Sequence, residues 1–437
     1  MRQFFLYAMM MAGVLASCSQ NENEGLPDNE PVDLTPSAEP IMISAASPSV
    51  VVNTRSAGSI GADGASDPTN TWSGQDLYIF ACQKNSETGE TMNDRIPDPT
   101  TYPLYNEHGT VASGKTASIV WENNKTLYFP RSNAYDFFGY YADDASTKAP
   151  TVMTLNNANV LYVPFTINGS QDLMIAKAAL TEQQKTDLGE NVNKAYSAFT
   201  ARKNVQPSMK FEHLLTRLVF KVQGLGDAKP ENVYVQSIKV KSKATGKLVI
   251  VYTSENEENK GIQWDAADDG STLLALQERN AEGKMQALDF GITIPEDLPQ
   301  EKDPSIILGR YPVSATDTPA KVVGEALLVN PNVDTYTVEI EVVQYYDEKD
   351  QLIPDEMDAA GKSKRYYKYT LDLKASDVTK PTTESGKEPE NAGITTFAPS
   401  TSYNIIVGIY GLEPMEITAE LGNWVPGGDI NVVPDDM

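Results

Sequence analysis

The chain has 437 residues, with 60 acidic and 35 basic side chains and a formal net charge of -25. An acidic surface of this kind repels nucleic acid and anionic lipid, so we expect neither as a partner for the folded part. The length is sufficient for two or three domains with substantial cores. Two cysteines and two histidines exclude a disulfide framework and a three-histidine metal site.

Residues 1–17 have the pattern of a secretory signal peptide. Arg2 precedes an apolar run, Phe4–Ala16, which is shorter than the roughly 20 residues that span a bilayer. The run ends in Leu15–Cys18, which resembles a bacterial lipobox. We therefore expect cleavage before Cys18 and acylation of its thiol, which leaves Cys82 without an intramolecular partner.

Residues 18–40 are predicted to be a disordered tether. The stretch Ser19–Pro40 contains six acidic residues, four prolines and no basic residue, with little to bury.

Most of the remaining chain alternates between apolar and polar residues. Period-two alternation is typical of strands with one face on a core, as in antiparallel sheets. The clearest runs are centred on Tyr336–Val342, Tyr367–Leu373, Leu214–Val222, Tyr403–Ile409 and Ile417–Leu421; further strand-like runs are Leu77–Ala81, Tyr135–Tyr141, Val160–Phe165, Val233–Val240 and Leu248–Tyr252. Between them lie turn-forming clusters such as NEHG, ADDG and PEDLPQEKDP. The pattern predicts an all-β protein built of β-sandwiches.

One short helix is predicted where Thr181 and Gln184 form a capping box. The polar stretch from Glu182 to Pro207 is the best candidate for a boundary between two domains. We assign residues 41–206 to an N-terminal β-sandwich and residues 207–437 to a C-terminal one.

The stretch Gly109–Thr116 matches the Walker A pattern, GTVASGKT. That pattern binds phosphate only as a loop between a buried strand and a helix. The preceding TYPLYNEH is polar and contains proline, and the following ASIVWENN has an extended rather than a helical pattern. We therefore interpret the stretch as a loop of small residues, without a nucleotide or any other cofactor.

No motif supports a metal site or a catalytic centre. The acidic turn Asp265–Gly270 lacks the ligands that an EF-hand would require at Ala267 and Leu276. His108 falls in the polar turn NEHG and is expected to be solvated. His213 precedes a strand, where a structural, hydrogen-bonded role is expected. We predict no enzymatic activity.

Several landmarks occur together in a fixed order: the lipobox, YFPRSNAYDFFGYYA (Tyr128–Ala142), QDLMIAKA (Gln171–Ala178), FEHLLTRLVFKV (Phe211–Val222), SYNIIVGIYG and MEITAELGNW, which ends at Trp424. In this order they resemble the fimbrillin family of Bacteroidetes. The resemblance implies two transthyretin-like antiparallel β-sandwich domains and a subunit of a type V pilus. It also implies export as an outer-membrane lipoprotein, followed by removal of an amino-terminal segment by an arginine-specific protease. In the family, that removal opens a groove in the subunit, and a strand from the next subunit fills it.

The sequence contains candidates for these parts. Ile41, Ile43 and Ala45 form a short alternating strand, although Pro48 interrupts its continuation. Arg55 follows in a stretch of small and polar residues suited to proteolysis. We expect cleavage between Arg55 and Ser56, which makes residues 41–55 a removable first-strand segment.

Two alternative functions remain open. In the first alternative, the chain is an anchor or tip subunit of the same system, which binds a host or bacterial surface ligand. In the second, it is a surface glycan-binding lipoprotein. Glycan binding requires an exposed aromatic platform. The tryptophans are Trp72, Trp121, Trp264 and Trp424, and of these Trp264, in GIQWDAADDG, is the candidate ligand platform.

Overall fold

The structure is a computed structural model of the chain. It describes residues 32–47, 72, 74–114, 116–142, 149–224, 233–279, 282, 284–288, 321–345, 356–357, 363–379, 391–409 and 416–422.

The described residues form mainly strands. In chain order they are β1 Pro36–Pro40, β2 Ser44–Ala46, β3 Asp76–Lys84, β4 Leu104–Val111, β5 Thr116–Trp121, β6 Tyr128–Pro130, β7 Ala134–Ala142, β8 Thr151–Leu155, β9 Ala158–Thr166, β10 Leu173–Lys177, β11 Ser208–Lys210, β12 Glu212–His213, β13 Thr216–Gly224, β14 Val233–Ser242, β15 Thr245–Val251, β16 Gly261–Trp264, β17 Thr272–Ala275, β18 Gln277–Arg279, β19 Met285–Ala287, β20 Lys321–Val322, β21 Leu327–Val329, β22 Thr335–Tyr345, β23 Glu356–Met357, β24 Ser363–Lys374, β25 Ser402–Ile409 and β26 Glu416–Gly422. The helices are α1 Glu182–Leu188 and α2 Ala198–Ala201, with 3-10 turns at Pro99–Thr101, Glu122–Asn124, Gly189–Lys194, Ser254–Asn259 and Ala375–Asp377.

An eight-stranded sheet, in the order β11-β2-β5-β4-β3-β7-β10-β12, organises the N-terminal part of the described chain. The sheet curls until its edge strand β11 reaches β10, where Ala178 and Met209 form an antiparallel bridge. Gly139 on β7 permits this approach, because a Cβ there would lie 2.8 Å from Met209 Cε and 3.1 Å from Phe211 Cζ. Strand β2 therefore closes a ring of strands.

Alternation places the two faces of this sheet in different cores. On one face, Ile79 and Phe137 pack with Tyr196 and Val205 from the helical segment around α1 and α2. On the other face, Phe80 and Phe138 pack against the sheet β16-β15-β9-β8. The N-terminal sheet is thus covered by helices on one side and by a second sheet on the other.

The C-terminal strands form two further sheets that share the second core. One has the order β20-β13-β25-β26, with β21 also paired to β13, and the other has the order β17-β14-β22-β24-β23. Phe220 from the first sheet and Ile340 from the second are fully buried in that core. Most neighbouring strands are antiparallel, whereas β2–β11 and β13–β25 are parallel pairs. The predicted all-β sandwich class is confirmed.

The structure confirms the strong periodic runs and corrects one turn. Tyr336, Val338 and Ile340 on β22 are buried, while the residues between them are half-exposed. The predicted capping box of Thr181 and Gln184 opens α1. The NEHG turn is wrong: it lies inside β4, where pairing of Glu107 and His108 with β3 holds polar residues in a strand.

The domain division between residues 206 and 207 stays a prediction, and sheets extend across it. Strand β11 follows the division but joins β2, and β15 pairs with β9 from the other side of it. The polar stretch from Glu182 to Pro207 packs on the N-terminal sheet through α1 and α2.

A buried polar pair lies where β10 and β12 meet, at one end of the strand order of the N-terminal sheet. Asp172 and His213 are 0% and 2% exposed, and His213 Nδ1 lies 2.6 Å from Asp172 Oδ2. Burial raises the pKa of Asp172, although the hydrogen bond and charge of His213 oppose that shift. Arg217 on β13 donates from Nη1 to Ser402 Oγ at 2.8 Å, and its burial lowers its pKa to about 10. The expected structural role of His213 is confirmed.

Replacing Asp172 with Ala is expected to lower the free energy of unfolding by about 3–5 kcal/mol, because it leaves buried donors without their carboxylate. Asp265→Ala is the matched control: Asp265 Oδ1 lies 3.1 Å from Lys247 Nζ on a half-exposed surface. Its loss should cost at most about 1 kcal/mol. Urea denaturation followed by circular dichroism measures both, and equal losses would contradict the structural importance of the buried pair.

Candidate functional site at the amino-terminal segment

The amino-terminal segment, Pro36–Ala46, contributes β2 to the interior of the N-terminal sheet. Ile41, Ile43 and Ala45 are 3%, 2% and 0% exposed, whereas Met42 between them is 59% exposed. This alternation confirms the predicted short strand. The three buried side chains belong to the core beneath the helical segment.

Backbone hydrogen bonds hold the segment from both sides. Ser44 N–H donates to Pro207 O at 3.1 Å, and Phe211 N–H donates to Ala46 O at 3.2 Å. From the opposite side, Ile119 N–H on β5 donates to Ile43 O at 3.0 Å. The segment therefore completes the ladders of two neighbours that do not pair with each other in the described structure.

Two side chains add hydrogen bonds to the backbone of the segment. Trp72 Nε1 donates to Ala45 O at 3.1 Å. Gln206 accepts from Met42 N–H at 3.2 Å and donates to Pro40 O at 3.1 Å. Sequence reasoning named Trp72 among the candidate aromatic platforms but missed its contact with this segment, and it missed Gln206 altogether. Trp72 had a signal, since it is an isolated aromatic residue in a polar stretch, whereas Gln206 had none.

The predicted tether is wrong in its last residues. Strand β1, Pro36–Pro40, pairs with β6, and Arg131 N–H donates to Thr35 O at 3.0 Å. Both prolines lie at the ends of a two-stranded pair, where a missing N–H is tolerated. Hydrogen bonds from Thr35 lower the pKa of Asp33 just before the strand. Ordering thus begins upstream of residue 41.

The predicted lipidation and processing residues lie outside the described residues. These are Cys18, Arg55 and Ser56. Trp424 and the tail that follows it, the candidate donor strand, also lie outside the described residues. The described chain stops at Ser47 and resumes at Trp72. Their proposed roles stay predictions.

The other tryptophans lie in or against the cores. Trp72 and Trp121 are 3% and 6% exposed. Trp264 is half-buried, with its ring 5.6 Å from that of Phe165 in an edge-on contact. Its role as a ligand platform stays a prediction.

The Walker-like stretch spans a β-hairpin. Gly109 lies in β4 and Thr116 begins β5, and Lys115 between them is outside the described residues. His108 lies within β4 and not in a solvated turn. Its Nε2 is 3.0 Å from Asp76 Oδ1 on the neighbouring strand β3. The extended character predicted for the residues after the stretch is confirmed.

A second buried ionic cluster surrounds Asp136 on β7. Its carboxylate lies 3.6 Å from Lys84 Nζ and 3.3 Å from Lys177 Nζ, and it accepts a 2.6 Å hydrogen bond from Thr91. Burial lowers the pKa of Lys84, and the charge of Asp136 opposes that shift. Two lysines thus share one carboxylate, which also accepts the hydroxyl of Thr91.

In the described part of the chain, no three His, Cys, Asp or Glu side chains are arranged to hold a metal ion. None of its helices is long and apolar enough to cross a membrane. Cys82 is fully buried, and desolvation raises the pKa of its thiol to about 12.

Comparison with known proteins identifies similarity over most of the chain. A family model described as fimbrillin-like matches residues 65–424. No curated protein matches the sequence. Among solved structures, a fimbrial protein from Bacteroides vulgatus is 13% identical, covers 89% of this chain and 100% of its own, and has a TM-score of 0.44. The fimbrial anchor protein Mfa2 from Porphyromonas gingivalis is 9% identical, covers 89% and 99%, and has a TM-score of 0.29.

Ile43→Ala is expected to weaken the hold on the amino-terminal segment by about 2–5 kcal/mol, because it removes a fully enclosed side chain. Met42→Ala, on the exposed face of the same strand, should change it by no more than about 0.5 kcal/mol. Hydrogen exchange of the Ser44 and Ala46 amides measures the difference. Equal exchange in the two variants would mean that the buried face does not hold the segment.

Proposed function

We propose that this chain, which belongs to the fimbrillin-like family, is a structural subunit of a cell-surface pilus that polymerises by strand exchange once its amino-terminal segment is removed. Family membership makes it a pilus-related surface protein, and the family is one of structural proteins rather than enzymes. The observation that carries the proposal is the position of β2 between β5 and β11.

Loss of the amino-terminal segment would leave a gap inside the sheet. The N–H groups of Ile119 and Phe211 and the carbonyl of Pro207 would lose their backbone partners. Unpaired strand edges and uncovered apolar pockets are costly in water. A strand from another subunit satisfies both, as in β-augmentation. Because donor and groove lie on different surfaces, the contact is head-to-tail and extends into a fibre.

The position of Arg55 supports proteolysis as the trigger. Ser47 ends the described stretch that contains the amino-terminal segment, and Trp72 is the next described residue. Between them the sequence contains one Lys or Arg, which is Arg55. A cut there separates residues 1–55, which include β1 and β2, from the rest of the chain. After the cut, only non-covalent contacts retain the segment, so a donor strand can displace it.

Arg55→Ala is expected to yield a folded, lipid-anchored monomer whose own segment still fills the sheet. Electron microscopy and sedimentation of surface material measure polymer formation. Arg55→Lys is the matched control, since it keeps the charge and distinguishes an arginine-specific protease from a general requirement for a cation. Polymer formation by Arg55→Ala at the wild-type level would place the cleavage site elsewhere or make cleavage unnecessary.

Before cleavage, the precursor is proposed to be held at the outer membrane through acyl chains on Cys18. The lipobox-like Leu15–Cys18 supports this, and the acidic stretch behind it provides the distance between lipid and fold. After cleavage, the lipid remains with residues 18–55 and the subunit is released for assembly.

Cys18→Ala should abolish labelling by a fatty-acid analogue and prevent delivery to the surface. Cys82→Ala, which replaces the buried thiol, should leave the label in place. Gel fluorescence of labelled cells measures both. Labelling that persists in Cys18→Ala would refute the lipoprotein assignment.

The donor strand is proposed to lie at the carboxyl terminus. Strand β26 is at the edge of its sheet, with one strand neighbour, β25, in the described structure. The sequence beyond it, VPGGDINVVPDDM, contains two adjacent glycines, a residue type suited to a hinge. It also contains Ile430, Val432 and Val433, whose side chains suit apolar pockets.

Deletion of Val425–Met437 is expected to leave the monomer folded and to abolish polymer formation. Thermal unfolding of the monomer and electron microscopy of the processed protein separate the two effects. A truncated chain that still assembles would exclude the tail as donor and would shift the assignment to another segment.

A further inference from the structure

The groove occupied by β2 contains one hydrogen-bond donor besides those of its two neighbouring strands. This donor, the indole of Trp72, contacts the strand at Ala45. Three donors bind successive parts of its backbone: Ile119 N–H binds Ile43 O, Phe211 N–H binds Ala46 O, and Trp72 Nε1 binds Ala45 O. The first two are backbone groups that any sheet offers to any strand. The indole of Trp72 is a side-chain donor in a fixed place.

Trp72 is itself rigidly held. Its backbone exchanges two hydrogen bonds with Gly114, at 2.8 Å and 3.0 Å, and its ring packs edge-on against Phe211 at 5.4 Å. The side chain is 3% exposed. Because Trp72 follows Arg55 in the sequence, it stays with the mature chain when residues 1–55 leave.

The side chain beside this hydrogen bond is small. Ala45 is 0% exposed, and its register partners are Ala117 on β5 and Met209 on β11. Ile43 and Ile41, two and four residues upstream, are the large members of the same buried face. In a close-packed core, extra methylene groups at a fully buried position force neighbours out of place.

We propose that Trp72 is a specificity-determining residue of the groove: it fixes the register of the incoming strand and restricts the residue at the Ala45 position to a small side chain. The groove then selects a strand of a second subunit with the buried pattern large, large, small. The exposed positions between them are free to vary. This inference rests on the proposed strand exchange and specifies which strand the site accepts.

The test uses the full chain, in which a substitution weakens the binding of its own amino-terminal segment to the groove. Ala45→Leu disturbs the fit of the chain's own segment, so a dye-labelled peptide with the sequence Pro40–Ser47 should enter the groove in trans. The same peptide with Leu at the Ala45 position should bind about tenfold more weakly or worse, the loss expected from overpacking. A peptide with Lys at the exposed Met42 position should bind like the unmodified one. Fluorescence anisotropy measures all three.

The second variable is Trp72. Adding Trp72→Phe removes the indole donor and part of the ring, so the preference for Ala over Leu in the peptide should fall to less than about threefold. Trp121→Phe, a change of the same kind in the same core, should leave the preference intact. A purely structural role for Trp72 would weaken both peptides equally and leave their ratio unchanged.

Circular dichroism establishes that each variant folds, and Ala45→Val replaces Ala45→Leu if the larger residue prevents folding. Equal binding of the Ala and Leu peptides, or an unchanged ratio in Trp72→Phe, overturns the role of Trp72 but leaves strand exchange standing. Failure of every peptide to bind any variant, both before and after an arginine-specific protease has removed residues 1–55, contradicts strand exchange itself. Selective peptide binding without polymer formation by the processed protein supports the role of Trp72 and contradicts the pilus function.

Discussion

The structure depends on one closure: β2, supplied by the amino-terminal segment, joins β5 to β11 and completes the curled N-terminal sheet. A strand at a sheet edge can leave without opening a core, but a strand between two others cannot. Its removal exposes hydrogen-bonding groups on both neighbours and the pockets of Ile41, Ile43 and Ala45. The fold therefore requires an occupant at this position, and the sequence of the chain connects that occupant to the rest through a region with a single arginine, Arg55.

Under the proposed strand exchange, the rest of the fold can stay intact while the occupant of this position is replaced. The second core joins the outer face of the N-terminal sheet to the C-terminal sheets, and the occupant contributes no side chain to it. The buried pair Asp172–His213 joins the start of β10 to β12 within the N-terminal sheet, and the charge of Asp172 acts on Arg217 of β13 in the next sheet. Trp72 and Gln206 belong to the body and bind the backbone of the occupant, so they remain available to a replacement strand.

Sequence periodicity was sufficient for the elements whose own side chains define a face. Strands β22 and β24 and the capped helix α1 followed directly from their patterns. Strand β4 did not, because Glu107 and His108 are held in it by pairing with β3 rather than by an apolar face of their own. The helical segment resembled a linker because many of its buried residues are alanines such as Ala198 and Ala201, which carry little hydrophobic signal. Alternation at Ile41–Ala45 identified the candidate strand, but its position between β5 and β11 depends on pairing with residues more than 70 positions away, which no local pattern encodes.

The most direct measurement is mass spectrometry of the amino terminus of the protein in assembled surface fibres, compared with the membrane-bound fraction. Strand exchange predicts that fibre subunits begin at Ser56 and that the membrane fraction contains chains beginning at acylated Cys18. Fibres whose subunits retain Cys18 and residues 36–46 would contradict it, because the position between β5 and β11 would then be filled by the chain's own strand in the polymer.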